Sequence, residues 1–256
     1  MIFKRFSRKK KAILCSTLLF IVFVFAFLAT FFLTLPKVTS LKTQNPKTTA
    51  LMGIRAEQAK KKSQEYVIKQ SWVMFAQIPQ VLKDTVRIAE DAGFYWHQGI
   101  DLDELKEAIK KNIQEKKFVR GGSTITQQLA KNLYLSPKKN LVRKIKEYLI
   151  ARRLEKALSK ERIFELYLNV IELGEGIFGF QAASRYYFHK DVEDLNLEEI
   201  VRLAAILPRP LSTDPRENSG WLKWRCRWLL HKLQLYKYIS EEKYREAVTL
   251  FLETPH

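Results

Sequence analysis

The chain has 256 residues, is 46% hydrophobic and carries a formal net charge of +18. That length and apolar content support one sizeable core with room for a smaller lobe. Its two cysteines, Cys15 and Cys226, lie too far apart in character and position to pair, which excludes a disulfide scaffold and a cysteine-based zinc site.

The first element is the uncharged run AILCSTLLFIVFVFAFLATFFLTL, Ala12 to Leu35. As a helix it would rise about 36 Å, enough to cross a bilayer, and it is too long for the apolar part of a cleaved signal peptide. Lys4, Arg5, Arg8, Lys9, Lys10 and Lys11 precede it, whereas only Lys37, Lys42 and Lys47 occupy the stretch beyond. The excess of cations ahead of the span places residues 1–11 in the cytoplasm and everything from about residue 36 on the other side. The remainder keeps a charge of +12 once those six cations are set aside. Beyond a membrane, the matching anions are phospholipid head groups or a lipid-linked phosphate rather than nucleic acid.

Residues 36–53 are rich in Lys, Thr, Ser and Pro and read as a tether, leaving 54–256 as the main domain. Helices dominate from there. Pro79 suits the first turn of a helix that Gly93 would end. Asp101 and Glu104 form a capping-box variant ahead of Leu102, Leu105, Ile109 and Ile113, an apolar stripe that faces either core or lipid. Leu141 to Leu158 and Ile163 to Val170 are helical, with a break near Ser159. Asn196 and Glu199 cap a helix that Pro208 stops. Trp221, Trp224 and Trp228, spaced for one helix face among Lys223, Arg225 and Arg227, fit core packing slightly better than contact with lipid head groups. Strand-like alternation is scarce, so the domain is mainly α.

Two stretches carry chemistry. In RIAEDAGFYWHQGID, Arg87 to Asp101, a helix ends on two acids, Glu90 and Asp91, where the backbone dipole favours cations. That position and the neighbouring Asp91 disfavour ionised Glu90 and push its pKa toward the working range of a general base. Asp91, about 100° further round, is expected to bond the turn before Gly93. In GGSTITQQLAKNLYL, Gly121 to Leu135, two glycines and a Ser123 or Thr124 cap open a helix whose free N–H groups suit an anion. Lys131, Lys138, Lys139, Arg143, Lys144 and Lys146 follow, with Glu147 among them. A solvated basic face accounts for such a run, but beside a membrane the same cations would stabilise a departing diphosphate.

Together these stretches resemble glycosyltransferase family 51, the peptidoglycan polymerases. Glu90, Asp91, Phe94, His97, Gly99 and Asp101 match its first motif, and GGSTITQQLAKN matches the second. Arg143, Lys144 and Glu147 match the third; Lys160, Ile163, Glu165, Tyr167, Leu168 and Asn169 the fourth. Gly176, Gly179, Ala182, Ala183, Tyr187 and Phe188 match a fifth, so the resemblance runs from about Trp72 to Pro215. Phe164, where the fourth motif often has Leu, is an apolar exchange.

The resemblance implies a mainly α, lysozyme-like domain behind a single transmembrane helix, on the outer face of a bacterial cytoplasmic membrane. It implies that the domain joins lipid II to a growing lipid-linked glycan by inverting transfer, releasing undecaprenyl diphosphate. Glu90 would be the base, with Lys131 and Glu147 also catalytic. Asp91, Phe94, His97, Ser123, Thr124, Gln127, Gln128, Lys138, Lys139, Arg143 and Lys144 would contact substrate. A divalent cation such as Mg2+ would assist near Glu147, and no organic cofactor is implied; cell-wall synthesis or division proteins are the expected protein partners. Lys138 and Lys139 stand where the family is expected to place an arginine, keeping the charge without the two-pronged geometry. Ser136 and Lys139 form an S-x-x-K pattern, but no K-T-G follows, so it is coincidental and the chain reads as monofunctional. The rival readings are a glycan hydrolase, which has no use for diphosphate-binding cations, and a non-enzymatic basic adaptor.

Overall fold

The computed structural model describes residues 8–115, 122–138 and 140–252. It divides into two units, residues 1–37 and 38–256. In the first, α1 (Arg8–Leu33) contains the apolar span Leu14–Leu33, long and apolar enough to cross a membrane.

The second unit begins earlier than the sequence suggests. Val38 and Leu41 are buried, and Arg162 donates to the carbonyls of Leu41 and Gln44 and to the Asn45 side chain. The expected tether over 36–53 therefore ends at Lys37, because two apolar anchors and three guanidinium bonds fix the chain just beyond it. Thr49 then caps α2 (Ala50–Lys61), whose Leu51 and Met52 pack on Phe178.

Next come β1 (Lys69–Gln70), α3 (Gln80–Glu90), α4 (Leu102–Gln114), α5 (Ile125–Tyr134), α6 (Leu141–Ala157) and α7 (Lys160–Val170). They are followed by β2 (Glu172–Gly174), β3 (Ile177–Phe178), α8 (Phe180–Phe188), α9 (Leu197–Ala205), α10 (Gly220–Leu235) and α11 (Glu241–Thr249). The helix starts are written locally: the side chains of Asp101, Thr124, Asn140, Ser159, Asn196, Ser219 and Ser240 each accept a backbone N–H of the helix that follows. Such a cap contributes about 1 kcal/mol.

The small sheet has the order β1-β3-β2, with β1 and β3 parallel and β2 and β3 antiparallel. Gly179, at φ +81°, brings the chain out of β3 so close to α7 that a Cβ would stand 2.6 Å from the Asn169 carbonyl oxygen. Asn169 is fully buried and exchanges hydrogen bonds with both backbone polar groups of Val73, tying the approach to α3 onto α7.

The core forms where α5 packs on α6 and α7, and where α3 packs on α9 and α10. Ile125, Leu129, Ile163, Leu166, Leu82 and Val86 are fully buried in it. Each such side chain contributes about 1.5–3 kcal/mol. On α4, Ala108 is buried while Leu102 and Ile113 are exposed, so those two leave the apolar stripe open to its surroundings.

Candidate active site

The C-terminal end of α3, the N-terminal end of α5 and one face of α10 enclose a cleft of about 860 Å³. Glu90, Asp91, Ser123, Thr124, Gln128, Arg209 and Arg225 are among the residues that line it.

Glu90 is the last residue of α3. Its Oε2 accepts a 2.8 Å hydrogen bond from the Gln128 amide, whose own oxygen accepts from the buried Tyr167 hydroxyl at 3.3 Å. Burial raises the Glu90 pKa above its ordinary value; the Gln128 bond and the charges of Arg225 and Lys131 oppose that rise, and Asp91 adds to it. The direction matches the sequence reading, but the main cause is desolvation rather than the acidic neighbour. The helix end also has its cation: Arg225, from α10, donates to the Ala89 carbonyl at 3.2 Å. The charge that the dipole favours arrives from a distant helix.

Asp91 does not bond the turn before Gly93. Its carboxylate accepts the Ile125 N–H at 2.9 Å and the His97 Nε2 at 2.9 and 3.1 Å, joining the end of α3 to the start of α5. With its backbone already outside the helical region at φ −165°, Asp91 ends α3 before Gly93. His97 Nδ1 accepts the Gly99 N–H at 3.1 Å, so Nε2 carries the ring proton and donates it to Asp91. Gly93 permits the fold of this loop, since a Cβ there would lie 2.6 Å from Asp101 Oδ2.

Several residues expected to touch substrate also serve the fold. Phe94 is fully buried against Phe164 and beneath the Lys160 ammonium. Thr124 and Gln127 satisfy each other in a capping box, and the Thr124 hydroxyl donates to the Gly99 carbonyl. Although Asp91 and Thr124 line the cleft, their polar atoms are bonded within the protein. Ser123 and Gln128 remain at the surface of the site.

Lys131, one turn beyond Gln128 on α5, joins Glu90 to a basic group. Burial lowers its pKa; Glu147 and Glu90 oppose that shift, whereas Arg143 and Lys144 add to it. Glu147 is buried, and its two oxygens accept from Arg143 Nη1 and Lys144 Nζ, each at 2.5 Å. Lys144 also donates to the Ser123 hydroxyl at 2.9 Å, connecting the basic group to the cleft. Arg143 Nε is a buried donor with no partner among the described residues. Lys138 is exposed on the loop before α6, and Lys139 lies outside the described residues.

The tryptophans correct another expectation. The core side of α10 is Leu222, Cys226, Leu229, Leu230 and Leu233, all fully buried, whereas Trp221, Trp224 and Trp228 line the cleft. Arg209 and Arg225 also belong to it and carry no motif. The alternation of Trp with Arg and Lys along α10 was the available signal, because a core face would not keep cations at such spacing.

Residues 56–234 match the transglycosylase family model. The chain belongs to the transglycosylase family. Among its relatives are biosynthetic peptidoglycan transglycosylases of Nitrosospira multiformis, 41% identical over 74% of this chain and 82% of that one, and of Dechloromonas aromatica, 46% identical over 70% and 77%. That of Nitrosomonas eutropha is 43% identical over 77% of this chain and 80% of that one. The residues that match the family model include Glu90, Gln128, Lys131, Arg143, Lys144 and Glu147.

Proposed function

We infer that this family member is a peptidoglycan glycosyltransferase that polymerises lipid II. The observation that carries the reading is the arrangement of one desolvated glutamate and one set of cations in a single neighbourhood, with Lys131 sensing both Glu90 and Glu147. The names of the relatives supply the substrate class.

In this mechanism Glu90 accepts the proton of an incoming sugar 4-hydroxyl as its oxygen attacks the anomeric carbon of the lipid-linked chain. The new C–O bond forms as the bond to the diphosphate breaks, and negative charge moves onto the leaving group. Burial makes Glu90 a stronger base than an exposed glutamate, while Gln128 keeps its carboxylate aimed. General-base catalysis of this kind supplies roughly 10²- to 10⁴-fold. Lys131, Arg143 and Lys144 stabilise the departing diphosphate. Glu147 holds Arg143 and Lys144 in place and acts as a positioning residue.

The donor set does not fit a divalent ion. Among the described residues the one grouping with metal-like spacing is Asp91, His97 and Asp101. Both His97 nitrogens and both Asp91 oxygens are engaged, Asp101 Oδ1 caps α4, and both Glu147 oxygens are ion-paired.

The apolar span in α1, with its preceding cations, supports a single-pass anchor with the domain on the outer face of the cytoplasmic membrane. The test is incubation of the purified full chain with fluorescent lipid II. Glycan strands and undecaprenyl diphosphate are expected. Unchanged lipid II, or cleavage of preformed glycan instead, would overturn the reading.

A further inference from the structure

One buried cation near Glu90 has no part in the chemistry above. Arg87 stands about one turn before Glu90 on α3 and is 6% exposed; neither it nor its distant partner Tyr238 lines the cleft. Its Nη1 donates to the Ala92 carbonyl at 2.9 Å, and its Nη2 donates to the Tyr238 hydroxyl and, at 3.3 Å, to Asp84 Oδ1. The guanidinium also faces two rings, Tyr238 at 5.2 Å and Tyr95 at 6.0 Å. Tyr238 is brought there by the turn that ends α10. Lys237 takes the left-handed conformation at φ +61°, its N–H donates to the Gln234 carbonyl, and the Tyr238 N–H donates to that of Leu233. This pair of bonds is a Schellman motif, which closes the helix and redirects the chain. A residue other than glycine holds the left-handed position, and Ile239, just past Tyr238, is buried and pins the chain there.

We propose that Arg87 and Tyr238 are positioning residues for Glu90: from the α10–α11 turn they fix the Ala92 carbonyl, and with it the segment on which the base stands. The end of α3 then lies between two guanidinium groups, Arg225 on the Ala89 carbonyl and Arg87 on the Ala92 carbonyl, with Glu90 and Asp91 between them. Asp91 is tied to α5 and Phe94 is fully buried, so the Ala92 peptide is the part of the segment still to be set. Arg87 sets it. Without that bond the peptide is free to turn, and its rotation changes the direction in which Asp91 and, through it, Glu90 leave the chain. Productive geometry at a reacting centre tolerates a displacement of only about 0.5 Å. Stability alone does not call for this arrangement, since apolar side chains of similar volume often match or exceed a buried ion pair, and Asp84 meets Arg87 through one long contact. No apolar side chain could bond Ala92 and Tyr238 together. This role presupposes the general-base chemistry inferred above.

The test uses the full chain in detergent, with lipid II for steady-state kinetics and circular dichroism for Tm. Tyr238→Phe keeps the ring against Arg87 and removes only the hydroxyl. It is expected to lower kcat about 2- to 12-fold, the equivalent of one hydrogen bond, with KM within about 2-fold and Tm within about 2 °C of wild type. Arg87→Met is expected to lower kcat about 10- to 10²-fold with KM again little changed, and Arg87→Lys, whose ammonium still reaches a carbonyl, to recover part of that loss. In the Arg87→Met background Tyr238→Phe should have little further effect, because both act through the one bond to Ala92. Wild-type kcat in Tyr238→Phe, a loss that appears in KM instead, or additive effects of the two changes would overturn the proposal. So would a loss that follows a lowered Tm and disappears on cooling, which would make the pair a support of the fold alone. Hydrogen exchange gives a readout that needs no substrate: amides over residues 91–97 are expected to exchange at least about 5-fold faster in Tyr238→Phe, and unchanged protection would also overturn the proposal. Failure of the wild type to polymerise lipid II would remove the reaction reading, whereas an active wild type with unaffected variants would remove only the positioning role.

Discussion

Replacing Glu147 by Gln removes the anion that two cations share while keeping the side chain's volume. Glu147 is buried, and its partner Arg143 has a side chain only 14% exposed, whereas Lys144 is 43% exposed. The two ion pairs are therefore unequal. Screening by solvent limits the Lys144 pair to about 0–1 kcal/mol. The Arg143 pair falls among buried pairs, for which loss of one partner costs about 3–5 kcal/mol because the other charge is left uncompensated. A destabilisation of about 3 kcal/mol is expected, which for a domain of this size lowers Tm by roughly 6–12 °C. Circular dichroism melts of the full chain in detergent at neutral pH measure it. In a double-mutant cycle, Arg143→Met should cost less in the Glu147→Gln background than in the wild type, since the pair is already broken. A Tm within 2 °C of wild type, or strictly additive effects, would refute the view that Glu147 holds the basic group together.

Other outcomes follow from the same geometry. Lys131→Ala should lower the polymerisation rate about 10²- to 10³-fold, as for loss of a preorganised charge, and a rate near wild type would detach Lys131 from the reaction. Tyr167→Phe removes the hydroxyl that orients Gln128; a loss of one net hydrogen bond predicts about a 2- to 12-fold lower kcat/KM with the fold intact by circular dichroism. Glu90→Gln should match the wild-type Tm in acid and exceed it at neutral pH. Because burial raises the Glu90 pKa above the ordinary 4.5, its contribution to stability is complete below that value and is lost as pH rises through the shifted one. By the same shift, the acid limb of the kcat/KM profile should have its midpoint above 4.5, and a midpoint below it would contradict the burial of this carboxyl.

The parts legible in the sequence were those whose cause is local. Ser159 breaks α6 from α7 and Asn196 starts α9 because a short polar side chain can satisfy the helix immediately after it. The parts that escaped depend on long reach. The Asp91 partner Ile125 lies 34 residues on, and the Arg225 that caps Ala89 lies 136 residues on, distances over which no spacing rule operates. Val38 and Leu41 are single apolar residues in a polar stretch, too few to show a period, yet burial decides their place. The α10 tryptophans show a clear period, but period identifies a face without naming what lies against it. Glu90 is the intermediate case: its misfit at a helix end drew notice locally, whereas its desolvation required the packing of α5 and α10 around it.

In the proposed mechanism Glu90 removes a proton during bond formation and is not needed to hold the substrate. Glu90→Gln, assayed side by side for lipid II binding and for polymerisation, tests it most directly. Affinity within about 3-fold of wild type and a rate at least about 10²-fold lower are expected. Polymerisation near the wild-type rate, or a loss fully explained by weakened binding, would contradict it.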